Sequence, residues 1–459
     1  MSPPTPAGEK GTHMEILKSI RQAPMSAFQV RATVVAIAIL IMDGLDITVI
    51  AFAAPAMSRE WDIAPTELGI VLSGSLIGMA IGSMLLAPLA DRFGRRRVIL
   101  TALGVMTVGM GLTVFADSPP ELLAYRVITG LGAGAMIANI IVVVSEYASD
   151  KRRSMLTAIQ AAGYPIGSAL AGVVAGPMIP AFGWQSVFLF GAVASLLLLL
   201  LGFKLLPESL DYLLTRQPRN ALEQTNTILT RMGRPTLDAL PTPEMSIQAG
   251  GSTAREVLRG SGLFRSVLLW LGYGLLISGF YFVNTWTPKI IADAADDESL
   301  GVTIGIVANI GGIVGCFLFA ALMTRFVPGP SLVGTLVASA AGFVAFSFVF
   351  DKPTSAFVVA LLLGMLTTGG IAGFQAFGPH VYSPQARATG LGLMIGLGRV
   401  VAIVSPILVG SLLQSDWQPE QVYLLFGLPM VAAAVCVYAT YASLRRAQKA
   451  ASQATVGPA

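Results

Sequence analysis

Twelve uninterrupted apolar runs decide what this chain can become. They lie near residues 32–57, 66–89, 98–116, 120–145, 154–180, 184–206, 266–291, 301–323, 331–350, 355–380, 389–413 and 420–442. Each is close to, or longer than, the roughly 20 residues that a helix needs to cross the hydrocarbon core of a bilayer. Backbone groups in lipid have no water to bond, so such runs must be helices. Composition agrees: 54% of the 459 residues are hydrophobic and 12% are charged, against roughly 25% charged in a soluble domain. The expectation is an all-α membrane protein of twelve transmembrane helices, which leaves a soluble core, a β-barrel and a nucleic-acid binder as poor readings.

The runs form two sets of six. Residues 1–31 read as an N-terminal tail, 32–206 as one six-helix bundle, 207–265 as a polar connector, 266–442 as a second bundle and 443–459 as a C-terminal tail. The connector is expected to hold one amphipathic helix over about 221–232. The Pro-rich residues before Met14 read as a disordered or added tail, and no cleavable signal peptide is visible. Of the 29 Lys and Arg, only Arg59, Lys289 and Lys352 fall on one set of loops, and Arg126 and Arg399 fall inside runs. The others share a side with both termini. Positive loops stay cytoplasmic, so both termini are expected there, in a bacterial-type inner membrane. The net charge of +4 is thus a topological signal rather than the mark of an acidic partner. Cys316 and Cys436 lie in apolar runs and imply no disulfide framework.

Two landmarks repeat. Leu89-Ala90-Asp91-Arg92-Phe93, after the second run, returns as Leu322-Met323-Thr324-Arg325-Phe326 after the eighth, and Tyr147 and Arg152 return at nearly the same offset as Tyr382 and Arg387. That pattern argues for duplication of a six-helix unit. Halves related by an axis along the membrane normal place a substrate site between them near the midplane. A transporter follows more naturally than an enzyme. With His13 and His380 as the only histidines, no metal or nucleophile cluster is visible and no cofactor is expected.

An ionised side chain at mid-bilayer costs roughly 2.5 to 3.5 kcal/mol even on the lenient insertion scale, so each one is a functional hypothesis by default. Asp43 and Asp46 share one face of the first helix, with Gly44 beside them to admit a neighbouring backbone. Two carboxylates in a desolvated space hold protons more tightly and titrate as a coupled unit, as a proton-coupling site requires; the alternative is a pairing with arginine. Arg399 lies near the centre of the eleventh run, where a guanidinium can hold a carboxylate bidentately or pair with Asp43 or Asp46. Arg126 is nearer a helix end and is read as a substrate contact or as half of a structural ion pair. Asn139, Gln160, Tyr164, Asn284, Asn309 and Gln375 either line the cavity or bond between helices. Trp286, Tyr281, Phe374 and Phe377 offer aromatic faces, although Trp286 suits belt anchoring equally well. The glycines at 130, 132 and 134 read as close helix packing.

The loop Leu89-Ala90-Asp91-Arg92-Phe93-Gly94-Arg95-Arg96-Arg97 resembles the D-R-x-G-R-R signature of the major facilitator superfamily, departing from it at Ala87, where glycine is usual, and in its second copy, where Thr324 replaces the aspartate. The resemblance implies two six-helix bundles in the major facilitator fold, with Asp91, Arg92 and Arg95 gating the cytoplasmic side. Within that superfamily the chain is similar to the aromatic acid:proton symporters. This rests on Asp43-Gly44-Leu45-Asp46, Arg126 with Thr129-Gly130-Leu131-Gly132, Ser145-Glu146-Tyr147, Leu206-Pro207-Glu208-Ser209, and Arg387-Ala388-Thr389-Gly390 leading to Gly398-Arg399. The likeness implies proton coupling at Asp43 and Asp46, functional roles for Arg126, Glu146, Arg387 and Arg399, and a benzoate-type or hydroxybenzoate-type substrate. Gly163, Gly172, Gly176 and Pro177 match most of a glycine spacing typical of drug:proton antiporters, which makes export the runner-up. The expected partners are a small organic acid anion, protons and the lipid bilayer, with no nucleic acid, and the expected assembly is a monomer.

Overall fold

The computed structural model describes residues 13–241, 257, 260–322, 325–383 and 386–455. Met323 and Thr324, in the second copy of the loop signature, and the Pro-rich segment before His13 lie outside them. Twelve helices are long and apolar enough to cross a membrane: Ala27–Trp61, Pro65–Phe93, Arg95–Thr113, Pro119–Tyr147, Asp150–Phe182, Gln185–Leu205, Gly262–Ala295, Glu298–Leu322, Pro328–Ser347, Thr354–His380, Thr389–Gln414 and Pro419–Ala447. They are called the first to twelfth spans below. Most outrun the apolar stretches by a few residues, because polar turns at each end continue the helix into the interfacial zone. Proline opens several of them, at Pro65, Pro119, Pro328 and Pro419, where its missing N–H has no intrahelical partner to lose. The first span starts instead at a reciprocal cap. Ser26 accepts from the Gln29 amide, and the Gln29 side chain accepts from the Ser26 amide.

An even number of spans returns the chain to its starting side, so both termini and the connector share one face, here the connector face; the opposite one is the far face. The two halves repeat one packing pattern. The first span packs on the fifth as the seventh packs on the eleventh, the second on the fourth as the eighth on the tenth, and the third on the sixth as the ninth on the twelfth. The halves meet chiefly through three pairs, the second span with the eleventh, the fifth with the eighth, and the first with the seventh, with a smaller contact of the first with the eighth.

Small residues bring backbones together at these seams. A Cβ on Gly130 would overlap the Ser75 carbonyl, and one on Gly134 the Met79 carbonyl, so the second and fourth spans touch main chain to main chain. The second span is not uniform. It passes through a π turn at Gly82–Leu86 and a 3-10 turn at Ala87–Leu89, just where Pro88 removes an N–H and crowds the carbonyl one turn earlier.

Two regions differ from expectation. The N-terminal tail contains a helix, His13–Gln22, with Ile20 buried. The connector holds two short helices, Leu210–Arg216 and Ala221–Arg231, of which the first is capped by Ser209, whose hydroxyl accepts from the Tyr212 amide at 3.1 Å. Two turns are too short to give a periodic signal, so that helix is not legible from spacing.

Candidate functional site

Gly44 allows the first span to lie directly on the backbone of Tyr164 in the fifth. This contact sets Asp43, Asp46 and Tyr164 side by side at the membrane centre. The two acids then part ways. Arg126, from the fourth span, donates Nη1 to Asp46 Oδ1 at 2.7 Å and Nη2 to the Asp46 carbonyl at 2.6 Å. Both side chains are completely buried, and the guanidinium carbon sits 5.4 Å from the Phe188 ring centre. This is a buried ion pair whose charges cancel locally, although Asp46 Oδ2 and Arg126 Nε have no hydrogen-bond partner among the described residues. Asp43 is also buried, but its Oδ1 has no hydrogen-bond partner among the described residues, and it lies in the field of Arg399 from the other half.

Arg399 is half-buried and makes one hydrogen bond among the described residues, from Nη1 to the Met79 carbonyl of the second span at 2.9 Å. Its other donors remain available, and a guanidinium with free donors suits a carboxylate. Aromatic side chains fill the sector around the two charges. Phe280 lies 5.6 Å from Tyr164 and 5.2 Å from Tyr281, ring centre to ring centre. Tyr281 and Tyr273 both sit within the field of Arg399, and Phe374 braces Tyr273 edge-on at 5.5 Å. The Tyr164 hydroxyl lies near Thr48 and Ser168, whose own oxygens are 2.6 Å apart, and is buried with no hydrogen-bond partner among the described residues. Gln160, one turn from Tyr164 on the same helix face, keeps a buried Nε2 without a partner among the described residues.

Several other residues singled out in the sequence bond to nearby backbone. Asn139 donates to Ala135 of its own helix at 2.8 Å and to Ala87 at 3.3 Å, thereby bracing the irregular turn of the second span. Asn284 and Asn309 each donate to the carbonyl one turn back, Phe280 and Gly305, at 2.9 Å. Trp286 is buried toward the far face, with its indole N–H on the Pro406 carbonyl at 3.0 Å. Gln375 is exposed, and Phe377 is buried beyond Phe374 toward the connector face. Phe280 and Tyr273 were not singled out, since an aromatic residue inside an apolar run carries no distinguishing signal.

The gate candidates also divide. Arg95 is paired with Glu146, donates to Ser209 Oγ at 2.6 Å and lies 3.6 Å from Asp211. Ser209 donates to Glu146 at 2.9 Å, and the Tyr147 hydroxyl donates to the Glu208 carbonyl at 2.7 Å. Gly94, at φ +97°, makes the turn against which the Glu208 carboxylate rests. This network ties the third and fourth spans of the first half to the start of the connector. Asp91, Arg92 and Arg387 are exposed, and among the described residues neither Asp91 nor Arg387 makes a side-chain hydrogen bond or ion pair. Arg92 lies over the Phe93 ring at 5.3 Å.

Polar contacts between the halves concentrate on the far face. Arg59 pairs with Glu298, the Thr66 amide donates to Gln414 at 3.3 Å, and Ser73 donates to the Ile403 carbonyl at 2.8 Å. A Cβ on Gly69 would strike the Pro406 carbonyl, and one on Gly410 the Pro65 carbonyl. The halves are thus sealed on that side.

Comparison with known proteins gives this arrangement its setting. The family model of the Major Facilitator Superfamily matches residues 36–406. The 4-hydroxybenzoate transporter PcaK of Pseudomonas putida is 31% identical over 93% of this chain and 96% of its own. The gallate transporter of the same organism is 31% identical over 93% and 95%, and the benzoate transport protein of Acinetobacter baylyi 26% identical over 93% and 92%. The fold matches the xylose transporter XylE from E. coli in a partially occluded inward-open conformation, with a TM-score of 0.69, 18% identity and coverage of 90% of this chain and 99% of that one. Twelve spans, a duplicated six-helix unit and relatives aligned from end to end make this chain a transporter, not an enzyme: a member of the major facilitator superfamily and, within it, of the aromatic acid transporter family.

Proposed function

We propose that the protein carries an aromatic carboxylate of the benzoate or hydroxybenzoate type into the cell together with protons, by alternating access. The observation that carries this reading is the central site, where a buried acid without a partner, Asp43, faces an arginine with spare donors, Arg399, across an aromatic wall. Relatives named for 4-hydroxybenzoate, gallate and benzoate transport support the substrate class.

The chemistry follows from charge balance. Bringing a monoanion in against an inside-negative potential costs roughly 2.3 kcal/mol per 100 mV, and one accompanying proton cancels that charge. A proton on Asp43 neutralises the first span, and the substrate carboxylate then becomes the counter-ion of Arg399. The ring rests against Phe280, Tyr281 and Tyr164. With both sites loaded, few uncompensated charges remain, and the halves can rock past one another. Proton loading narrows from the acid pair to Asp43, because Asp46 is held by Arg126; Asp46 acts as the fixed neighbour that sets the field at Asp43. Asn139, Asn284 and Asn309 each donate an amide N–H to a backbone carbonyl, and substrate contact is assigned first to Arg399 and the aromatic wall.

The connector face is assigned to the cytoplasm, in keeping with its Lys and Arg content. The sealed far face and the exposed Asp91, Arg92 and Arg387 describe a carrier whose cytoplasmic latch is undone, while Arg95 and Glu146 hold the first half together. The glycines that suggested export have a packing role: Gly163 meets Leu40, Gly172 meets Ile306 and Gly176 meets Val302.

The test is uptake of labelled 4-hydroxybenzoate into cells expressing the protein. Accumulation should collapse with a protonophore and be absent in Asp43→Asn. Wild-type accumulation by that variant overturns the coupling assignment.

A further inference from the structure

We propose that the connector face carries a binding site for one anionic phospholipid, with its phosphate held between Arg97 and Lys204. A cavity of about 500 Å³ opens there between the start of the first and third spans, the end of the sixth and the helix Ala221–Arg231. Its walls include four cationic side chains, Arg96, Arg97, Lys204 and Arg231, and two acids, Glu208 and Glu223. The acids do not discharge the arginines: Glu208 accepts from the backbone amides of Arg96 and Ser209, at 3.0 and 2.9 Å. Arg96 donates to the Leu206 and Phe203 carbonyls at 2.7 and 2.6 Å, which are neutral acceptors. Arg231 lies over the Phe28 ring at 5.8 Å. Arg97 and Lys204 are exposed and, among the described residues, make no side-chain hydrogen bond or ion pair.

What turns a basic hollow into a lipid site is its apolar surroundings. Arg97 also lines a second cavity of about 220 Å³, walled by Leu86, Phe93, Val98 and Val105 of the second and third spans and by Ala135 of the fourth. On its other side, Leu200 and Phe203 of the sixth span are 54% and 55% exposed. One cationic residue therefore stands at the connector-face end of its span between two apolar tracks, and a diacyl lipid with an anionic head fits all three. A zwitterionic head lacks the net charge that unpaired basic residues attract, worth roughly five-fold in affinity for each one near the surface.

The experiment measures thermal stabilisation of the purified full chain in a neutral detergent. Titrants are phosphatidylglycerol, phosphatidylcholine, glycerol phosphate and inorganic phosphate. Phosphatidylglycerol should stabilise the wild type saturably, and Arg97→Gln/Lys204→Gln should need roughly 25-fold more of it while melting like the wild type without lipid. Thr101→Phe, which fills the apolar cavity and leaves the charges intact, should also weaken the lipid effect. Equal stabilisation by phosphatidylcholine, or an unchanged requirement in the double variant, overturns the proposal. Equal stabilisation by either free phosphate assigns the site to soluble anions and likewise overturns it, as does full lipid affinity in Thr101→Phe. The outcome is independent of transport, because none of these residues belongs to the central site.

Discussion

The two halves share one helix-packing plan yet hold opposite chemistry. The first half carries Asp43 and Asp46 deep within a span, whereas every acid of the second half lies near a span end or in a loop. The second half contributes Arg399 and most of the aromatic wall, Tyr273, Phe280 and Tyr281. The connector-face network of Arg95, Glu146, Ser209 and Asp211 joins the first half to the connector. Duplication has supplied the scaffold, and on the proposed reading divergence has divided proton handling from anion handling between its copies. A site assembled from both is complete only when the halves face each other, which is what alternating access needs from its centre.

Substitutions can break this division or sharpen it. The largest effect is expected at Asp43→Asn in the proton-handling half. Concentrative uptake should be lost outright, while exchange of labelled for unlabelled substrate persists in proteoliposomes and the melting temperature is kept; loss of both activities together would make Asp43 a structural residue. Next comes Arg126→Ala, which leaves Asp46 charged and buried without its partner. That should cost about 3 to 5 kcal/mol, read as loss of folded protein in detergent, and Asp46→Leu/Arg126→Met should recover much of it. In the anion-handling half, Arg399→Gln should raise the KM for 4-hydroxybenzoate ten-fold to a hundred-fold, in line with the roughly 1.5 to 3 kcal/mol of a charged hydrogen bond, with little change in stability. The smallest effect is expected for Phe280→Leu, where removing ring contacts worth about 0.5 to 1.5 kcal/mol should raise KM two-fold to ten-fold. If Phe280→Leu exceeds Arg399→Gln, the substrate is held by its ring rather than by its charge.

How far the sequence could be read depended on whether a property belongs to a residue or to its neighbours. Apolar run length belongs to the chain itself, so all twelve spans could be located, and an acid in such a run stands out at once. Which acid is paired does not belong to the chain. Asp43 and Asp46 share a face but differ by about 60° of rotation and 4.5 Å of rise, enough for Asp46 to meet Arg126 and Asp43 to miss it. The same limit hid the use of Asn139, whose amide was visible as costly in lipid while its acceptor, the Ala87 carbonyl, lies at the junction of the π and 3-10 turns of the second span, which no spacing announces. The strings Ser145-Glu146-Tyr147 and Leu206-Pro207-Glu208-Ser209 were noticeable as motifs, but their joint role in one hydrogen-bonded network with Arg95 needed three dimensions.

The contacts of Gly69 and Gly410 against the Pro406 and Pro65 carbonyls set how the far side shuts. Where side chains meet, a joint can settle at many separations, since rotamers yield. Here peptide meets peptide, and peptides do not yield. Closure there works as a hard stop, giving the carrier a sharply defined end to its stroke rather than a soft one.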